Sequence, residues 1–130
     1  MSINSTLEEV VTIIKTVFPL WTVKKSYGAR SLPIFLENDS VGDKTIIVNF
    51  ANDVIQSTEQ NWITKSLNIN LWFVKKTIDR NHFAKDLTDA IDEFYCNSTI
   101  RDSRIAIISH DCYTIAGEFY VYEIDINFNR

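Results

Sequence analysis

Hydrophobic and polar residues alternate strictly from Leu67 to Val74. Leu67, Ile69, Leu71 and Phe73 fall on one face; Asn68, Asn70, Trp72 and Val74 fall on the other. A period of two predicts a β-strand with one face in the core. The second face begins polar and ends apolar, so its Trp72 end needs a cover. Two covers stay open at this point: a neighbouring subunit, or a hairpin of the same chain.

The rest of the chain can be read around that strand. Leu7, Val10, Val11, Ile14, Val17 and Phe18 recur at helical spacing and predict an amphipathic helix. Ser5 followed by Glu8 fits a capping box at its start, and Pro19 stops it. Trp21 and Val23 alternate with Thr22 and Lys24, and Tyr27-Gly28 marks a turn. Leu32, Ile34 and Leu36 alternate with Pro33 and Phe35. Pro33 cannot donate to a ladder, so this strand is expected at an edge or with an irregular start. Residues 37–44 form a polar turn before Ile46, Val48 and Phe50, and residues 28–50 read as a hairpin. Residues 51–61 are polar and without a period, which predicts a loop of about ten residues.

Beyond the long strand, Asp79 or Asn81 caps a second helix. Its apolar stripe is Phe83, Leu87, Ala90, Ile91 and Phe94, and Asn97-Ser98 breaks it. Residues 104–109 read as a short strand and residues 111–117 as a turn or wide loop. Tyr120, Tyr122, Ile124, Ile126 and Phe128 then alternate along a long last strand. The predicted order is α-β-β-β-β-α-β-β. This is an α+β fold, a largely antiparallel sheet of about six strands with two helices on one face. Residues 1–130 are expected to form a single domain.

Composition narrows the function. Thirteen basic and 17 acidic residues leave a net charge of −4, the wrong sign for a duplex DNA reader. No apolar run approaches membrane-spanning length, and MSINSTLEEV carries no signal-peptide pattern, so no membrane association and assembly in a cytoplasm are expected. Cys96 and Cys112 are then free thiols.

Candidate chemistry is sparse. His110-Asp111-Cys112 suggests a nucleophile with a base, but His110 and Cys112 share a side only if the segment is extended, and no glycine-rich oxyanion loop accompanies them. An ordinary turn is the expectation there. His82 reads as a solvated helix residue. Asp86, Asp89 and Glu93 share a helix face that reads as solvated rather than metal-binding. Lys24, Lys25 and Arg30, with Trp21 and Tyr27, are the one basic and aromatic cluster. A charged strand edge explains it better than nucleic-acid contact. No catalytic, cofactor-binding or metal residues are expected, and the chain does not read as an enzyme. The informative residues are Trp62, Trp72 and Val74. If the face away from the helices is exposed, they form an apolar patch of the kind that marks a subunit interface.

The first helix VVTIIKTVFPL, the LPIF segment, the long strand SLNINLWFVKK, the helix FAKDLTDAIDEFY and the terminal strand EFYVYEIDINF together resemble one family. It is the tail terminator or tail completion proteins of long-tailed bacteriophages. The resemblance runs over nearly the whole chain at the level of element order and hydrophobic pattern. It implies a structural virion protein, a homo-oligomer forming a hexameric ring. Such a ring caps the tail tube, ends its polymerisation and joins it to the head connector protein. DNA passes through without sequence-specific binding, and no cofactor is needed. The place of such a protein is the virion tail. Loops 37–44 and 51–61 are then candidates for contacting the tail tube or connector. The alternatives are a head–tail connector or baseplate adaptor subunit, or a small cytosolic ligand-binding domain or enzyme.

Overall fold

The first apolar stripe forms α1, Ile3–Val17, and Pro19 ends it as expected. Ser5 lies inside this helix rather than at its cap, because the helix starts two residues earlier. The computed structural model describes residues 3–33, 36, 41–57, 63–76, 84–115 and 117–129. The remaining elements are β1 (Thr22–Tyr27), β2 (Thr45–Ser57), β3 (Ile63–Lys76), α2 (Lys85–Cys96), α3 (Ser98–Arg101), β4 (Ile105–Ile115) and β5 (Phe119–Asn129). Asp79, Asn81 and Phe83, expected at the start of the second helix, lie outside the described residues.

Among the described residues five strands make one sheet in the order β1-β2-β3-β5-β4. The α+β class stands, but the sheet is mixed. β1 runs parallel to β2, while β2–β3, β3–β5 and β4–β5 are antiparallel. The expected hairpin over residues 28–50 is therefore corrected. A parallel pair cannot be closed by a tight turn; the chain must cross over one face of the sheet. Leu32, Pro33 and Leu36 are helical, not a strand. Proline is tolerated in the first turn of a helix, where its missing N–H costs nothing.

Two further expectations change. The loop over 51–61 is strand as far as Ser57, paired with β3 beyond a bulge between Phe50 and Asn52. The segment 111–115 is also strand, because β4 continues to Ile115 against β5.

The sheet has a core on each face. On the first, α1 and α2 bury Leu7, Val10, Ile14, Leu87, Ile91 and Phe94 against Leu67, Ile69, Leu71 and Phe73 of β3 and Ile124, Ile126 and Phe128 of β5. Phe73 is its hub, with edge-on contacts to Phe18, Trp21 and Phe94. The second core is smaller. There Leu32 and Val41 of the crossover lie over Ile47, Trp72, Val74 and Val121. Gly28, at φ +73°, turns the chain out of β1 towards that face.

Candidate functional site

The strand register arranges the second face in rows across the sheet. Asn52, Asn68 and Asn127 form one row, and Asn49, Asn70, Asp125 and Ser109 the next. Ile47, Trp72, Glu123 and Asp111 follow, and the Thr45, Val74, Val121 and Tyr113 row closes the set. The face thus grades from amide, through carboxylate, to apolar.

Side-chain hydrogen bonds run along the rows. The Asn68 amide donates to Asn52 at 3.1 Å, and the Asn127 amide donates to Asn68 and Ser66 at 3.0 Å. Asn49 is fully buried. Its amide nitrogen donates to Asn70 and to the Ala29 carbonyl, each at 2.9 Å, and its oxygen accepts the Ala29 N–H at 3.2 Å. All of its donors are used, as burial of an amide demands. Asp125 accepts from Asn70 at 2.6 Å and from Ser109 at 2.9 Å. Glu123 accepts from the Trp72 indole and, at 3.2 Å, from the Tyr113 hydroxyl. Burial, and then the Glu123 carboxylate, push the Tyr113 phenol well above its usual range.

These bonds also hold the crossover in place. Asn49 ties its start at Ala29. At its other end, Asp43 accepts from the Lys75 ammonium at 2.8 Å and from the Lys76 N–H at 3.0 Å. Burial opposes ionisation of Asp43, but these donors outweigh it and hold the carboxyl below its usual range.

The expected interface residues are therefore corrected in part. Trp72 and Val74 are buried, Trp72 with 1% of its surface exposed, beneath the crossover of their own chain. Of the two covers left open, the intramolecular one is found, as a crossover rather than a hairpin. Neither residue offers surface to a neighbour in this arrangement. Trp62 lies outside the described residues, as does His82.

The open surface is instead at β4. Among the described residues only β5 pairs with it in the sheet, and all its side chains from Ala106 to Cys112 are exposed. Ile107 is 41% and Ile108 60% exposed, beside a bulge between Ile107 and Ser109. His110 and Cys112 do share one side, since the strand is extended through both. However, the imidazole stacks on Tyr122 at 5.9 Å and meets Tyr95 edge-on at 6.4 Å, rather than bonding the thiol. Cys112 lines a depression of about 280 Å³ with Thr88, Ile91, Asp92 and Tyr122. That is just below the size range of drug-sized ligand sites, about 300–1,000 Å³.

The basic cluster is partly engaged. Lys25 pairs with Glu8 of α1, and Trp21 packs on Phe73 with the Lys44 ammonium over its ring at 5.8 Å. The acidic face of α2 is engaged too: Asp86 lies 3.5 Å from Lys75, and Asp89 3.2 Å from Lys85. Among the described residues, no group of three or more His, Cys, Asp or Glu side chains is placed to hold a metal ion, and no helix is long and apolar enough to cross a membrane.

Sequence reasoning missed Asn49, Glu123, Tyr113 and Asp125. The signal for three of them was there, as polar residues at alternate positions of strands that otherwise bury apolar ones. No protein-family model matches the chain, and neither does any curated protein.

Proposed function

We propose that the chain is a structural virion subunit that forms a ring on the end of a phage tail tube, ends its polymerisation and joins it to the head connector. The observation that carries this reading is β4. A long edge strand with exposed isoleucines is a template for pairing with another chain, and an assembly subunit needs such a surface. The order of elements behind the family resemblance supports it further. The helix ending at Phe18-Pro19, the long β3, the helix α2 and the terminal β5 follow one another along the chain. The rows of the second face also suit the wall of an opening through which DNA slides. They present amides, Asp125, Glu123 and Asp111, with a lysine only at the β1 end, where Lys24 stands beside Ile47. A wall of amides and carboxylates repels phosphate instead of binding it.

The β2–β3 ladder supplies a contact for the tube. It continues to Ser57 opposite Ile63, past the end of β1 pairing at Phe50 and the start of β5 pairing at Ser66. This two-stranded arm takes the place of the loop expected over 51–61 as the element that touches the tube or the connector.

Electron microscopy of the protein mixed with tail tubes tests the reading. Extra density at one tube end, with tubes of limited length, is the expected result. Tubes that stay bare at both ends and keep growing would overturn it. Density at the distal end would move the subunit to the baseplate.

A further inference from the structure

The two edges of the sheet are chemically opposite. Along β4 and the neighbouring flank of α2 lie Asp111 and Asp92, with Ile107, Ile108 and Tyr95 exposed. Along β1 lie Lys24 and Lys25, followed by Arg30, with Tyr27 53% exposed. Among the described residues neither strand has a second partner in the sheet.

Strand directions add a constraint. β1 is parallel to β2, β2 is antiparallel to β3, β3 to β5, and β5 to β4. β4 therefore runs opposite to β1. Copies related by rotation about an axis along the strands would bring β4 of one beside β1 of the next in antiparallel orientation, the slightly more stable ladder per residue.

Length points the same way. The bulge beside Ile108 interrupts β4, and bulges of this kind deter indiscriminate edge pairing. The stretch beyond it, Ser109 to Ile115, pairs with β5 without a break. It is seven residues long by that numbering, enough for the 6 residues of β1. It also carries Asp111, on the same face of the sheet as Lys24 of β1: the two stand at opposite ends of the row of Ile47, Trp72 and Glu123. Pairing β4 with another β4 would bring two bulges and two Asp111 carboxylates into one junction.

We propose that copies of this chain join head to tail through β4 of one and β1 of the next, with Asp111 opposed to Lys24. Such a heterologous contact makes a closed ring or an open filament. Closure into a ring rests on the tube-end reading above, whereas the contact itself does not.

Sedimentation of two charge variants tests it. Asp111→Lys places like charges across the junction through β4, and Lys24→Glu does so through β1. Each alone is expected to weaken association at least tenfold, with unchanged circular dichroism. Mixed one to one, they are expected to recover wild-type assembly, because every junction in an alternating assembly is again a lysine–carboxylate pair. The double variant in one chain should recover it too. Lys24→Glu assembling like wild type would overturn the proposal, as would no rescue on mixing, or a wild type monomeric up to its solubility limit. The outcomes separate the two claims. Tube-end density without rescue sinks this contact and keeps the tail reading, while rescue with bare tubes does the reverse.

Discussion

Trp72 shows how a single residue can be placed correctly and still be misread. Its alternation with Phe73 put it on the face away from the helices, which is where it lies. What covers it was not legible, because the cover comes from Leu32 and Val41 in a segment whose apolar residues imitate a strand. Buried under that segment and bonded to Glu123, Trp72 contributes to stability, not to a surface. Trp72→Ala is expected to cost about 3–5 kcal/mol, the range for emptying a buried aromatic site, read from urea unfolding. Trp72→Phe keeps most of the apolar contact but removes the indole N–H. Its expected cost is smaller, about 1–3 kcal/mol. If Trp72→Ala unfolds at the wild-type urea midpoint, the second core does not depend on this side chain. The partner of the same carboxylate gives a pH prediction. Tyr113 has a raised pKa from burial and from Glu123. In the unfolded chain the phenol ionises near pH 10, while in the folded chain it stays neutral. Its contribution is therefore complete below about pH 10 and is lost as pH rises further. Wild type should lose stability more steeply between about pH 10 and 11 than Tyr113→Phe does. Parallel slopes would remove Tyr113 from the account.

At the scale of elements, legibility followed burial. β3 and β5 were read closely because one face of each is buried along most of its length and shows the period of two. The part of β4 beyond Ser109 was taken for a loop because it is an edge strand exposed on both faces as far as Cys112; only Tyr113 and Ile115 pack on the second core, too short a run to show a period. The same reasoning explains why β2 was cut short at Phe50. At the bulge Ala51 and Asn52 are exposed, and the polarity of the sequence beyond them imitated a loop. The crossover failed for the opposite reason: Leu32, Ile34 and Leu36 do alternate, and alternation was trusted over Pro33. What fixes the crossover is a polar contact that no period reports. Asn49→Ala would remove both bonds to Ala29 and the bond to Asn70. About 1–3 kcal/mol of stability should go with them, since the Ala29 N–H and C=O lose their partner. Limited proteolysis should then cut within residues 29–44 before any other segment. Asn49→Asp should be no better. A carboxylate still accepts the Ala29 N–H but meets the Ala29 carbonyl and the Asn70 oxygen without a proton to offer. A crossover as protease-resistant in both variants as in wild type would mean that the apolar lid alone holds it down.

For the whole molecule, the decisive property is where charge sits relative to the sheet. Net charge was legible from composition, but its segregation was not, because it arises only when the register sets Asp125 beside Asn70 and Glu123 beside Trp72. The basic groups gather at the β1 edge, where Glu8 already neutralises Lys25. The amide and carboxylate rows occupy the open half of the second face. Duplex DNA binds by releasing counterions from phosphates that basic side chains neutralise, and these rows offer one only at their β1 end, Lys24. The intact protein should therefore leave duplex DNA unretarded in a gel at physiological salt. Converting the rows supplies the positive control. Asn68→Lys with Asp111→Lys places two ammonium groups on the same face and should create weak, sequence-independent binding. Its affinity should fall with salt at a log–log slope of about −0.9 per phosphate contact, so about −2 for one subunit. Retention of DNA by the wild type at physiological salt, with no increase in the lysine variant, would show that the basic β1 edge governs the protein's behaviour towards nucleic acid. The acidic face would then have no claim to be the wall that DNA slides past.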